Sequence, residues 1–154
     1  MHSPQNSKEQ ELLEALQGLP HGPEFRFIDR LTELVPGQSG SGEYTVPAAA
    51  PFLKGHFPGM PLMPGVLLLE AAAQIAGAVA QSDRNIPPVR ELRLAGIRSA
   101  RFYGTAAPGL TITLKARITA RLGGAILADT EAFLGSSRIM AASLTLGGSD
   151  AKDG

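Results

Sequence analysis

The sequence predicts an α+β domain in which a strongly curved antiparallel sheet wraps one long, buried helix. Three observations predict it. Residues 66–80, VLLLEAAAQIAGAVA, are almost wholly apolar, and a helix that is apolar all round has to be enclosed by other elements. Leu110, Ile112, Leu114, Ala116, Ile118, Ala120 and Leu122 alternate strictly with Thr, Lys and Arg, which is the period of a half-buried strand. Gly123-Gly124 and Gly135-Ser136-Ser137 then separate two further alternating runs, 125–134 and RIMAASLTL, as turns between strands do.

Taken in order, residues 1–6 read as a polar, disordered tail. Ser7 and Gln10 can close a capping box ahead of Leu12, Leu13 and Leu16, so a short helix is expected over 8–17. Gly18, Pro20, Gly22 and Pro23 stop it, and Phe25, Phe27 and Leu31 begin an extended segment that ends before Pro36-Gly37. The stretch GQSGSGEYTVP follows as a flexible or edge strand. Residues 51–65, PFLKGHFPGMPLMPG, are too dense in proline and glycine for any regular element and read as an irregular loop. Pro64 suits the start of the apolar helix and Ser82-Asp83 its end, while the alanines at 71, 72, 73, 76, 78 and 80 keep it thin enough for close approach. Such a helix would span roughly 26 Å, a marginal length for a membrane. Residues 89–103 supply another strand before Gly104, giving an antiparallel meander with one dry face. The single domain is expected over 7–147, with 148–154 a second disordered tail.

Composition narrows the function. A chain of 154 residues fits one domain, able to bury roughly 68–70% of the surface its unfolded form exposes. Apolar residues at 44% and charged ones at 18% are globular proportions. Fourteen basic and fourteen acidic side chains sum to zero, which removes the strongest argument for nucleic-acid binding. Absence of cysteine excludes disulfides, Cys-based zinc sites and thiol catalysis, and no H-x-x-x-H spacing suggests another metal centre. The amino terminus MHSPQNSKEQ lacks the basic-then-apolar pattern of a signal peptide, so a soluble cytoplasmic protein without a membrane span is expected.

Three features carry chemistry. Glu70 interrupts the apolar helix, where an ionised carboxylate costs several kcal/mol unless paired or protonated. Burial raises a carboxyl pKa, which suits a group that holds and then delivers a proton; Gln74, at i+4, can orient it. The helix alone leaves open that Glu70 leans out of a gap or pairs with an arginine. His56 lies in the restrained Pro/Gly loop, where its ring can be aimed, though a lone loop histidine is more often a packing residue. His2 falls in the tail, and His21 reads as a cap or packing residue at the helix–strand turn. Gly65 falls at the start of the apolar helix, where unpartnered amides and the dipole can stabilise an enolate-like oxygen, or where glycine simply begins a helix.

Residues 55–74 together read GHFPGMPLMPGVLLLEAAAQ, which closely resembles the (3R)-hydroxyacyl-acyl-carrier-protein dehydratases of bacterial fatty-acid synthesis. That family carries a His-Phe-Pro-Gly segment, a Pro-Gly-Val segment and a Glu-Ala-x-Ala-Gln segment, with the spacing that separates His56 from Glu70. LPH at 19–21, IDR at 28–30, PG at 36–37 and PFLKGHFPG at 51–59 extend the resemblance over most of 12–82. Around Arg101 it loosens. The family usually continues with basic residues and a Pro-Gly-Asp segment, whereas this chain reads RFYGTAAPGLTI, with Tyr103 at the basic position and Leu110 at the acid.

The resemblance implies a hotdog fold, and a homodimer, or a trimer of such dimers, whose sheets join. It implies that His56 is the base, that Glu70 from the other subunit is the acid, and that the Gly65 amide binds the thioester carbonyl. Phe57, Val66 and Gln74 would line the substrate. The implied substrate is a 3-hydroxyacyl group on the phosphopantetheine arm of acyl carrier protein, converted without a cofactor to a trans-2-enoyl thioester in fatty-acid, polyene or polyketide synthesis. An apolar tunnel beside the helix would take the acyl chain. Arginines 84, 90, 93, 98 and 101 are candidates to meet an acidic carrier, although arginines on a sheet face are usually just solvated. Two other outcomes stay open: a hotdog thioesterase, and a module that binds acyl thioesters without turning them over. Isomerising dehydratases usually carry Asp where Glu70 stands.

Overall fold

The computed structural model describes residues 3–149. Along the chain come α1 (Pro4–Gln17), a 3-10 turn (Pro23–Phe25), β1 (Arg30–Val35), β2 (Ser39–Thr45), α2 (Pro51–Lys54), α3 (Gly65–Ala80), β3 (Arg90–Phe102), β4 (Thr111–Leu122), β5 (Ala125–Leu134) and β6 (Ser137–Ser149). All strand pairs are antiparallel, in the order β1-β2-β4-β5-β6-β3. Strands β4 to β6 form the expected meander, turning at Gly123 and Gly135 with φ of 62° and 58°. The chain that leaves α3 crosses to the far side, where β3 pairs with β6 and becomes an edge.

Packing explains the layering. Inward residues Ile112 and Leu114 of β4, Ile126 and Ala128 of β5, and Met140, Leu144 and Leu146 of β6 are buried with Leu68, Ala72, Ile75, Ala76 and Val79 of α3. This is the α+β arrangement expected from the apolar run, with α3 spanning Gly65–Ala80. Among the described residues, no helix is long and apolar enough to cross a membrane.

Several expectations are corrected. The 37–47 stretch is not an edge: β2 lies between β1 and β4. Its glycines serve close approach, because a Cβ on Gly40 would stand 2.7 Å from Val79 Cγ2, and one on Gly42 2.9 Å from the Arg30 carbonyl oxygen. Phe25 belongs to the 3-10 turn, and the strand proper begins at Arg30. Residues 51–54 form a helical turn, since Pro51 sits in its first turn, where a missing N–H costs nothing. The first helix begins at Pro4, within the segment expected to be disordered. Ser3, rather than Ser7, caps it by accepting from the Asn6 amide at 3.4 Å; the Ser7 hydroxyl instead donates to the Pro4 carbonyl. Residues 148 and 149 complete β6. His2 and residues 150–154 lie outside the described residues.

Candidate active site

Glu70 sits halfway between enclosure and solvent, its side chain 22% exposed. It lines a cavity of about 350 Å³ bounded by the 18–21 segment, by Ala73, Gln74 and Gly77 of α3 with Gln81 just beyond its end, and by the start of β3. Two side chains converge on one oxygen. Gln74 Nε2 donates to Glu70 Oε1 at 3.2 Å, and His21 Nε2 lies 3.3 Å from the same atom. The expected i+4 contact is present, but the partner on the other side is a histidine and not an arginine.

Gln74 is itself fully buried. Its oxygen accepts from the Phe27 amide at 2.9 Å, and its nitrogen also donates to the Phe25 carbonyl at 2.9 Å. Burial of an amide is tolerated only when its donors and acceptor are satisfied in this way. The consequence is mechanical: Gln74 stitches the 25–27 segment to α3 and, through the same group, aims Glu70.

His56 is held by the loop ahead of α3. Its amide donates to the Leu53 carbonyl and its carbonyl accepts from Leu62 N at 2.7 Å. Phe57 and Met60 exchange both backbone hydrogen bonds around Pro58-Gly59, where Gly59 takes φ of 76° as the third position of a tight turn requires. The His56–Phe57 peptide is cis. His56 Nδ1 lies 3.1 Å from the Leu62 carbonyl oxygen. A carbonyl only accepts, so Nδ1 carries a hydrogen, and in the neutral ring the lone pair is then on Nε2. Phe57 lies against that ring, tilted 30° with centroids 4.2 Å apart, and is itself about half exposed.

Pro64 precedes α3 and supplies no side-chain cap; its carbonyl accepts from Leu67 and Leu68. The amides of Gly65 and Val66 therefore have no acceptor among the described residues, as first-turn amides do not unless something caps them. A Cβ on Gly65 would crowd the Phe102 ring, at 3.1 Å. Val66 is 73% exposed. The atypical 101–110 segment borders this end, with the Ala106 carbonyl accepting from Met63 N and Arg138 stacking over Tyr103 at 5.0 Å.

Of the residues expected to act, Gly65 and Val66 open α3, His56 and Phe57 lie in the loop that precedes it, and Glu70 and Gln74 line the cavity further along the helix. Among the described residues no hydrogen bond or ion pair joins His56 to Glu70 within the chain, and His56 does not line the Glu70 cavity. Sequence reasoning missed His21 as a neighbour of Glu70. The available signal was its place in LPH, next to the turn that brings 25–27 onto α3.

Comparison with known proteins gives a consistent picture. The FabA-like domain matches residues 19–143. A 3-hydroxyacyl-[acyl-carrier-protein] dehydratase FabZ of Myxococcus xanthus is 40% identical over 71% of this chain and 72% of its own. Another protein of that name, from Syntrophotalea carbinolica, is 34% identical over 87% and 91%. In fold, the dehydratase heterocomplex ApeI:P from Xenorhabdus doucetiae superposes with a TM-score of 0.74 at 16% identity, covering 92% of this chain and 93% of that one. The sheet-wrapped helix is thus the hotdog fold.

Proposed function

The chain belongs to the FabA-like domain family, and from that membership we propose that it dehydrates 3-hydroxyacyl groups on acyl carrier protein, with His56 as base and Glu70 of a second subunit as acid. The observation that carries the assignment is the His56 ring. Its Nδ1 is committed to the Leu62 carbonyl, which in the neutral ring leaves the lone pair on Nε2, and the braced loop that holds it leads into α3, whose first two amides have no acceptor among the described residues.

In this scheme the thioester carbonyl docks on the Gly65 amide at the positive end of α3, which acidifies the C2 proton. His56 Nε2 takes that proton as the C2–H electrons form the C2=C3 bond. The C3–O bond breaks, and its oxygen leaves as water with a proton from Glu70. The cycle ends with His56 protonated and Glu70 ionised, and proton exchange with solvent restores both. The thioester holds the developing negative charge, so the reaction itself requires no electron carrier. Phe57 and Val66 border the reacting end, and the cavity along α3 suits an acyl chain.

The second subunit has a natural place. β3 is a 13-residue strand that, among the described residues, is paired on one side only, with Ile97 about half exposed, and a long free edge invites another strand. Pairing of β3 with its copy gives a dimer with one continuous sheet. Arg84 and Arg93 are engaged by Glu14 and Glu91, whereas Arg90, Arg98 and Arg101 on the β3 strand form no ion pair among the described residues and are the better candidates for an acidic carrier. The direct test is conversion of a (3R)-hydroxyacyl carrier thioester to the trans-2-enoyl product, followed in both directions. Turnover is expected; a folded protein that binds the thioester without turnover is a binding module instead, and release of free acid marks a thioesterase.

A further inference from the structure

The role of Glu70 as the acid raises a question about its two oxygens. Oε1 faces the Gln74 amide at 3.2 Å and His21 Nε2 at 3.3 Å, whereas Oε2 meets no hydrogen-bond or ion-pair partner among the described residues. His21 is not free to drift. Arg26 Nη2 donates to the carbonyls of Leu19 and His21, at 3.3 and 3.1 Å, and the imidazole stacks on Phe25. Gln74 ties Phe25 and Phe27 down to α3 from below. The ring is thereby held over the carboxylate by the same amide that contacts the carboxylate from its own helix.

His21 Nδ1 is buried with no hydrogen-bond partner among the described residues. A hydrogen placed there would be a buried donor with no acceptor, which costs free energy, so the ring carries its hydrogen on Nε2, toward Glu70. Both neighbours of Oε1 are then donors, and a proton on Oε1 would face two N–H groups. We propose that His21 is a positioning residue for the dehydration: with Gln74 it saturates Oε1, so that the acid proton of Glu70 resides on Oε2 and points at the substrate. This rests on the assignment of Glu70 as the acid and adds which of its atoms reacts and what selects it. Elimination consumes the Oε2 proton, and the resulting carboxylate keeps both donors on Oε1 while Oε2 is reprotonated from solvent.

Three variants test it in the full-length protein, with melting temperature checked for each. His21→Ala is expected to lower kcat roughly 10- to 100-fold, the cost of a mispositioned group, with KM within about twofold. His21→Gln, which keeps an N–H donor near the Nε2 position, should recover most of that loss. In a Glu70→Gln background His21→Ala should cost nothing further, because its effect passes through Glu70. Unchanged kcat in His21→Ala, a Gln variant as impaired as the Ala variant, or losses that multiply with Glu70→Gln would each overturn the role of His21 while leaving Glu70 as the acid. Full activity in Glu70→Gln would instead remove the acid itself, and this proposal with it.

Discussion

The two ends of α3 are finished in opposite ways. At its C-terminal end nearly every exposed carbonyl has a donor: Arg121 reaches Ala80 at 2.7 Å, Gly37 N and the Ser82 hydroxyl both reach Val79, and Gln81 N returns to Gly77. Gln81 further clamps Val89 through both its backbone groups. At the N-terminal end Pro64 offers no cap, and the amides of Gly65 and Val66 have no acceptor among the described residues. Both ends bear the same number of orphan backbone groups by geometry. The closed end anchors the helix in the sheet, and the open end is where the proposed reaction would place the thioester oxygen.

This contrast can be broken from either side. The largest effects belong to the open end: His56→Ala and Glu70→Gln should each reduce kcat by about 10²- to 10⁴-fold with folding intact, measured by steady-state dehydration. Wild-type rates in either would remove the acid–base pair. Gly65→Pro deletes one of the free amides at a helix position that accepts proline. With Phe102 shortened to Ala to admit the ring, it should lower kcat by about 10²- to 10³-fold relative to Phe102→Ala alone. The closed end should behave differently. Arg121→Ala loses charged hydrogen bonds to the Ala80 and Gly37 carbonyls and should cost about 1.5–3 kcal/mol in denaturant unfolding, with turnover per folded molecule unchanged.

What could be read in advance follows the range of the interactions. The apolar helix was expected over 66–80 and found over Gly65–Ala80, and the β4–β5–β6 hairpins turn where glycine pairs and serines mark them. These signals are local, set by periodicity and turn chemistry within a few residues. The Glu70–Gln74 contact is local too, one helical turn apart. Most of the misses involve distant partners. β2 looked like an edge because its glycines weaken a strand in isolation, while in the fold they let Val79 and Ile75 of α3 come close. The strand after α3 pairs with the last strand, and His21 meets a carboxylate 49 positions away; periodicity carries neither, and the LPH segment offered a hint of the second alone. At α1, Ser3 outcompeted Ser7 because Pro4 can open a helix at the next position.

The central claim is that each active site takes His56 from one subunit and Glu70 from another. Subunit mixing tests it most directly: His56→Ala and Glu70→Gln proteins, each inactive alone, are denatured together, refolded and assayed. In a twofold dimer with random pairing, half the dimers are mixed and each holds one intact site, so activity should return to about one quarter of wild type. Verified mixed dimers that stay inactive would place both residues of each site in the same chain and contradict the account.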